Sequence, residues 1–212
     1  MKLEGIKANF LGDSITQGHG VSCQEATYWN VLKRKFGLAE ARGYGIGGTR
    51  IARQHTPTPE PHRWFDQDFC SRFESMDPDA DLVVVLGGVN DYGTGDAPMG
   101  TFSDRTPDTF FGALHYLMNG LCNRYPKATV VFMTPLHRTW EEHDGKKLSD
   151  YVKAIKEVAT YYAIPVLDLY ATSGIQPEIP VLRESYMPDG LHPNDAGAER
   201  IADRLGAFLL SI

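Results

Sequence analysis

The sequence lacks a basic charge excess and any long apolar run. Its 212 residues include 21 Lys and Arg against 27 Asp and Glu, so the formal net charge is −6. Because nucleic acids and anionic membranes both attract a basic face, neither is expected as a partner. No apolar run approaches the roughly 18 residues of a membrane-spanning helix. We therefore expect no integral membrane association.

Cysteine is scarce as well. The three cysteines, Cys23, Cys70 and Cys122, are odd in number and widely spaced, which argues against a disulfide framework and fits a reducing compartment. Residues 1–7 contain no apolar signal-peptide core, so a cytoplasmic location is expected. Cys-x-x-Cys spacing is missing, and five histidines form no close ligand pair on one helix: His19, His55, His62, His137 and His143. These spacings predict no metal site.

Strand and helix patterns alternate along the chain. Strands are expected at residues 7–12, 38–44, 81–88, 128–134 and 164–169. Helices are expected at 25–36, 64–73, 107–125 and 147–162, with a last helix capped by Asn194. Loops or irregular segments are expected at 91–106, 136–145 and 172–190. The alternation predicts one α/β domain over residues 1–212, with a five-stranded parallel sheet and helices on both faces.

Polar and glycine-rich motifs follow the predicted strands. Ser14 follows the first strand, Gly47 and Gly48 follow the second, and the segment 87–91 follows the third. A further motif, Asp189-Gly190-Leu191-His192, lies just before the last helix. Ligands bind at the carboxyl ends of the strands in such sheets, so these motifs are expected to meet there.

The residue types in these motifs suit nucleophilic cleavage of an ester. Ser14 supplies a hydroxyl, His192 a base to take its proton, and Asp189 a carboxylate to orient that base. The oxyanion hole, the set of N–H donors for the negative oxygen of the intermediate, is predicted from the Ser14 and Gly48 N–H groups and the Asn90 side chain.

In these motifs the chain resembles the SGNH hydrolases, the GDSL lipase/esterase superfamily. The four blocks of that family occur in order: Gly12-Asp13-Ser14, a glycine after the second strand, Gly88-x-Asn90-Asp91 and Asp189-x-x-His192. The resemblance implies a flavodoxin-like three-layer α/β/α fold. It also implies ester hydrolysis without a metal or an organic cofactor.

The resemblance also assigns roles to single residues. It gives Ser14, Gly48, Asn90 and His192 the four named roles of the family, and Asp189 completes the triad. The second block departs from the family pattern, because Gly43 stands where Asn is frequent. The choice of Gly48 over Gly47 comes from aligning the following Thr49.

Four further residues are candidates for substrate contact or for support of the site. Asp13 and Asp91 either order their loops as hydrogen-bond acceptors or are simple turn formers. Arg50 either meets an anionic substrate group or lies on the surface. His137, with Arg138 and Trp140, lies at the expected rim of the site or in an ordinary polar loop.

Three functions remain open from the sequence. The first is a serine esterase that removes short acyl groups, above all acetyl, from a carbohydrate or another small polar alcohol. The second is the same chemistry on lysophospholipids or thioesters, with a possible acyl groove formed by Met99, Phe102, Phe110 and Phe111. The third is mononucleotide binding, with Ser14 and Thr16 as phosphate ligands. A small-molecule ester is the expected partner, and the sequence leaves the oligomeric state open.

Overall fold

The computed structural model describes residues 1–212. Its strands are β1 (Lys7–Gly12), β2 (Glu40–Gly45), β3 (Leu82–Leu86), β4 (Thr129–Met133), β5 (Glu142–His143), β6 (Lys146–Lys147) and β7 (Val166–Leu167). Five of them pair in parallel, in the order β2-β1-β3-β4-β7, while β5 and β6 form a small antiparallel hairpin. Counted along the chain, the parallel order is 2-1-3-4-5, which is the flavodoxin-like order.

Nine α-helices connect and flank the strands. They are α1 (Ser14–Gln17), α2 (Tyr28–Phe36), α3 (Phe69–Arg72), α4 (Val89–Gly93), α5 (Phe110–Arg124), α6 (Leu148–Tyr161), α7 (Leu169–Thr172), α8 (Pro180–Tyr186) and α9 (Asp195–Ser211). Short 3₁₀ turns lie at Gln24–Ala26, Arg63–Asp66 and Phe73–Ser75. No helix of the chain is both long enough and apolar enough to cross a bilayer.

The central strand β3 shows why the sheet is covered on both faces. All five of its residues are buried. Val83 and Val85 pack into a core formed with α5 and α6, whereas Leu82, Val84 and Leu86 pack into a second core formed with α2 and α9. Alternate residues of a strand point to opposite faces, so a continuous apolar run is buried on both sides. The expected three-layer α/β/α fold is confirmed.

Several expected elements differ in extent. The helix expected at 64–73 is broken, because the Phe69 N–H donates to the Arg50 carbonyl instead of continuing a helical ladder. The helix expected at 25–36 begins only at Tyr28, after a 3₁₀ turn. The fifth strand of the sheet shrinks to two residues, Val166–Leu167, which pair with β4.

Two segments expected to be irregular contain helices. In 91–106, the first residues belong to α4, which follows Gly88 in the left-handed region at φ +103°. In 172–190, α8 begins with Pro180 at its first position, where the missing N–H of proline is no loss. The loop expected at 136–145 contains most of the β5–β6 hairpin.

Candidate active site

Ser14 lies where β1 ends and the short helix α1 begins. The turn is tight, since a Cβ on Gly12 would lie 1.9 Å from Thr16 Oγ1. The buried Asp13 caps α1 by accepting a hydrogen bond from the Ile15 N–H at 3.0 Å. Ser14 is the first residue of the helix, so its own N–H has no partner within it. The hydroxyl and the N–H of Ser14 thus lie together at the carboxyl edge of the sheet.

Ser14, His192 and Asp189 form a hydrogen-bonded chain. Ser14 Oγ is 3.0 Å from His192 Nε2, and His192 Nδ1 is 2.7 Å from Asp189 Oδ2. With Nδ1 donating to the carboxylate, Nε2 is left as the acceptor for the Ser14 hydroxyl. The second oxygen of Asp189 accepts the N–H groups of Leu191 at 2.9 Å and of His192 at 2.7 Å. The short loop before α9 therefore fixes the orientation of the imidazole.

The electrostatics of this pair suit a neutral base beside an ionised acid. Burial lowers the pKa of His192 below its ordinary 6.5, against the opposing effect of the Asp189 hydrogen bond and charge. His19 and Arg138 lower it further. Burial would raise the pKa of Asp189, but hydrogen bonds from the backbone and ring of His192 outweigh it, so that pKa lies below 3.8. At neutral pH His192 can accept a proton while Asp189 is a carboxylate.

The structure distinguishes Gly48 from Gly47 as a potential oxyanion donor. The Gly47 N–H donates to Gln17 Oε1 at 2.7 Å and is already used. The Gly48 N–H makes no hydrogen bond within the chain. Gly48 has φ +77°, and a Cβ there would lie 2.3 Å from the Phe65 ring, so both its conformation and its surroundings require glycine.

Asn90 lies in the first turn of α4 and lines the same cleft as Ser14. Its Nδ2 donates to the Thr49 carbonyl at 3.0 Å. A side-chain amide has two N–H groups, so the second remains for a ligand in the cleft. The bond to Thr49 also joins the segment that carries Asn90 to the segment that carries Gly48.

The buried Asp91 and the partly buried Arg72 hold the Gly48 segment in place. Asp91 accepts the N–H groups of Ile51 at 3.0 Å and Ala52 at 2.8 Å. Arg72 donates to the Gly12 carbonyl at 2.6 Å, to Thr49 Oγ1 at 3.1 Å and to the Tyr44 carbonyl. Arg72 thereby links the ends of β1 and β2, which carry Ser14 and Gly48. These contacts favour the support role for Asp91 over a simple turn.

Asp13 and Asp91, the two buried aspartates of the site, both have raised pKa values. Burial raises the pKa of Asp13 to about 7, and the nearby charge of Asp91 adds to the shift. One oxygen of Asp13 has no hydrogen-bond partner. Burial likewise raises the pKa of Asp91 to about 6, against the two N–H groups it accepts. Asp13 acts here as a helix cap below Ser14 and does not line the cleft.

A cleft of about 440 Å³ opens over Ser14. Its lining residues are Ser14, His19, Gly47, Gly48, His62, Trp64, Phe65, Asn90, Thr94, Leu191 and His192. One wall is aromatic: His62 stacks on Phe65 with ring centroids 5.3 Å apart, and Trp64 meets both rings edge-on. Trp64 is 42% exposed and forms the outer part of this wall.

Arg50 and His137 do not take the substrate-facing positions considered from the sequence. Arg50 is only 4% exposed, and its guanidinium points inward to the carbonyls of Phe65 and Thr94, so it is neither a surface residue nor a ligand for substrate. His137 Nδ1 donates to Glu141 Oε1 at 2.7 Å, and its ring packs against Tyr170, outside the cleft over Ser14. Both side chains form hydrogen bonds within the protein instead of facing the cleft.

The acyl groove suggested by the sequence does not lie at Ser14. Phe110 is fully buried in the core beside α6, and Met99, Phe102 and Phe111 pack against that same core. None of the four lines the cleft over Ser14. Phe110 packs on Tyr151 of α6, and Phe111 packs on Phe102, so both rings serve the packing of the protein interior.

Sequence reasoning missed cleft-lining residues such as His62, Trp64 and Thr94, and also four residues that contact the catalytic loops. Gln17 holds the Gly47 N–H, Arg72 joins the ends of β1 and β2, Phe65 packs on Gly48, and His19 packs on His192. Gln17 and His19 lie within five residues of Ser14, and this closeness was the one available signal. Phe65 and Arg72 lie in the helix expected at 64–73, which the structure breaks, and nothing in the sequence indicated their contacts with Gly48 and with the ends of β1 and β2.

The comparisons with known proteins point to one family and one fold. The model of the GDSL-like lipase/acylhydrolase family matches residues 10–200. A curated GDSL lipase from Mycobacterium tuberculosis is 27% identical over 206 residues, covering 94% of this chain and 79% of that protein. A solved protein from Lactobacillus plantarum is 31% identical with a TM-score of 0.86, and 98% of each chain is covered. A solved acetyl xylan esterase, 19% identical, shares the fold at a TM-score of 0.65 over 95% of this chain and 98% of its own.

The chain therefore belongs to the GDSL-like lipase/acylhydrolase family, within the SGNH hydrolase superfamily. It is a hydrolase that acts on ester bonds. The family assignment does not support the mononucleotide-binding alternative.

Proposed function

We propose that the protein is a serine esterase in which Ser14 is the nucleophile, His192 the general base and Asp189 the residue that orients His192. The observation that carries the proposal is the unbroken chain from Ser14 Oγ to His192 Nε2 at 3.0 Å and from His192 Nδ1 to Asp189 at 2.7 Å. Both distances fall in the range for proton transfer between hydrogen-bonded groups.

The reaction proceeds in two halves. Ser14 Oγ attacks the ester carbonyl carbon while its proton passes to His192 Nε2, and Asp189 stabilises the resulting imidazolium. The carbonyl oxygen becomes an oxyanion that accepts hydrogen bonds from the N–H groups of Ser14 and Gly48 and from Asn90 Nδ2.

Collapse of this intermediate breaks the bond to the alcohol. The alcohol leaves with the proton from His192, and the acyl group stays on Ser14. Water then attacks the acyl-enzyme with His192 again as base, which releases the carboxylic acid and restores the Ser14 hydroxyl. Every proton in this cycle is carried by residues already in contact, so the cycle uses no metal or organic cofactor.

We propose a short acyl group, above all acetyl, as the group transferred. The Phe65 ring packs directly against Gly48, so it bounds the space beside one oxyanion donor. A ring at that point leaves room for a methyl group more readily than for a long chain. The residues considered for a long acyl groove, Met99, Phe102, Phe110 and Phe111, do not line the cleft.

For the alcohol we propose a carbohydrate or another small polar alcohol. The aromatic wall of His62, Trp64 and Phe65 gives a flat apolar surface beside polar groups of the catalytic loops, an arrangement typical of small-molecule sites. One solved protein with the same fold is an acetyl xylan esterase, which by its name acts on an acetylated carbohydrate.

A panel of p-nitrophenyl esters from acetate to long chains, followed by acetylated sugars, tests the proposal. The wild type and Ser14→Ala are measured side by side. We expect activity that falls with chain length and disappears in the variant. Lysophospholipids and acyl thioesters are included because the half-exposed Trp64 also offers an apolar rim to a longer chain. Preference for those substrates over acetylated sugars would contradict the short-acyl proposal while leaving the triad intact.

A further inference from the structure

His19 lies against the proposed base. The rings of His19 and His192 have centroids 4.2 Å apart and are tilted by 57°. A nitrogen of each imidazole and a carboxylate oxygen of Asp189 all lie within 4.8 Å of one another. The proposed ester hydrolysis gives His19 no step, so the arrangement is unexplained by the reaction.

The backbone around His19 fixes its position. The His19 N–H donates to the Ser14 carbonyl at 2.8 Å, directly after the left-handed cap of α1 at Gly18. Gly20 has φ +96°, and a Cβ there would lie 2.7 Å from the Pro193 carbonyl and 3.0 Å from His192 Cβ. The glycine thus lets the loop after α1 approach the loop before α9, and this approach brings the two histidines together.

Two imidazoles and a carboxylate are a ligand set that suits Zn²⁺. Zinc binds His nitrogen and Asp oxygen at about 2.0–2.2 Å with tetrahedral geometry, which places ligand atoms roughly 3.4 Å apart. The ligand atoms here lie within 4.8 Å of one another, and His192 Nδ1 is 2.7 Å from Asp189 Oδ2. His19 is exposed, so a turn of its side chain would bring its ring nitrogen closer to the other two ligands. Water or another small ligand completes the fourth position. The nearby Arg138 opposes a cation, so the affinity falls below that of a structural zinc site.

We propose that His19, Asp189 and His192 form an inhibitory site for a divalent transition-metal ion of the zinc class. A bound ion takes a nitrogen lone pair of His192 and an oxygen of Asp189, and so interrupts the proton path from Ser14. Binding is reversible and involves no covalent step. The inhibition rests on the proposed function, whereas metal binding itself does not.

The test measures binding and inhibition separately. ZnCl₂ is titrated calorimetrically into chelator-treated, dialysed protein, and the same titration is followed by hydrolysis of p-nitrophenyl acetate. All proteins carry Cys23→Ser, so that this exposed thiol supplies no ligand. The variants are His19→Gln and, as a matched control, His55→Gln, an exposed histidine that belongs to no such group.

We expect one zinc site in the background protein and in His55→Gln, and zinc binding weakened by about tenfold or more in His19→Gln, with an equal shift in the inhibitory concentration. Equal zinc affinity in His19→Gln and in the background would overturn the site. Zinc bound through His19 without loss of activity would overturn the inhibitory role. A protein that binds zinc through His19 but never hydrolyses an ester would support the site and contradict the proposed function.

Discussion

Replacing Asn90 with Ala removes one of three proposed oxyanion donors and leaves the nucleophile and base untouched. One N–H of the Asn90 amide is held by the Thr49 carbonyl at 3.0 Å, so one N–H is available to the oxyanion. Loss of a single such donor lowers kcat about 10²- to 10³-fold, or roughly 2.7–4 kcal/mol of transition-state stabilisation. Because the donor acts mainly on the charge that develops during reaction, KM should change little.

The same substitution also leaves the Thr49 carbonyl without its partner, which lowers the free energy of unfolding by about 1–3 kcal/mol. Steady-state kinetics on p-nitrophenyl acetate and thermal unfolding are therefore measured together. Asn119→Ala, on the exposed face of α5, serves as the matched control. A folded Asn90→Ala enzyme with kcat within about fivefold of wild type would refute the assignment of Asn90 to the oxyanion hole.

Three further predictions concern protonation and acyl size. The rate should rise with pH through the pKa of His192, which burial holds below 6.5. In Asp189→Asn, measured in chelator-containing buffer, this rise should occur at still lower pH because the carboxylate that raises the pKa of His192 is gone. A rise at unchanged pH would count against the Asp189–His192 pair. Asp13 has a folded pKa of about 7, above its ordinary 3.8, so the folded state binds the proton more tightly and stability falls as pH rises between these values. Asp13→Asn should then stabilise the protein by up to about 4 kcal/mol at pH 8 and by less than half of that at pH 5, and denaturant unfolding that shows no such difference would contradict it. Phe65→Ala should raise activity on hexanoate relative to acetate by about tenfold, whereas Trp64→Ala at the outer rim should not change this ratio; an unchanged ratio in both would exclude Phe65 as the limit on acyl length.

The sequence was sufficient to anticipate the meeting of Ser14 and His192 across 178 positions of the chain. The reason is topological: parallel strands collect their carboxyl ends at one edge, and each motif directly follows a strand or precedes a helix. The continuous apolar run of β3 likewise indicated burial on both faces, which defines the three layers.

The segment between β2 and β3 was not predictable in the same way. The helix expected at 64–73 is broken, and the position of the segment depends on single long-range contacts such as those of Asp91 with the N–H groups of Ile51 and Ala52. Arg50 illustrates the consequence, because an arginine after a glycine-rich turn is ordinarily exposed. Here the carbonyls of Phe65 and Thr94, distant in sequence, accept its hydrogen bonds and bury it.

The expectation that the chain has no metal site was limited in the same way, because it rested on sequence spacing alone. Close spacing of histidines on one helix is a local signal, and the chain has none. His19 and His192 approach each other only through the loops that follow α1 and precede α9. A pair of histidines brought together by tertiary contact produces no pattern in the sequence spacing, so only the folded structure reveals it.

Covalent labelling of Ser14 tests the central claim most directly. A fluorophosphonate reacts with an activated serine hydroxyl, and peptide mass spectrometry locates the adduct. We predict one adduct on Ser14 in the wild type, none in Ser14→Ala, and labelling slowed by orders of magnitude in His192→Ala because the base is missing. An adduct on another serine, or equally fast labelling of Ser14 in His192→Ala, would contradict the account.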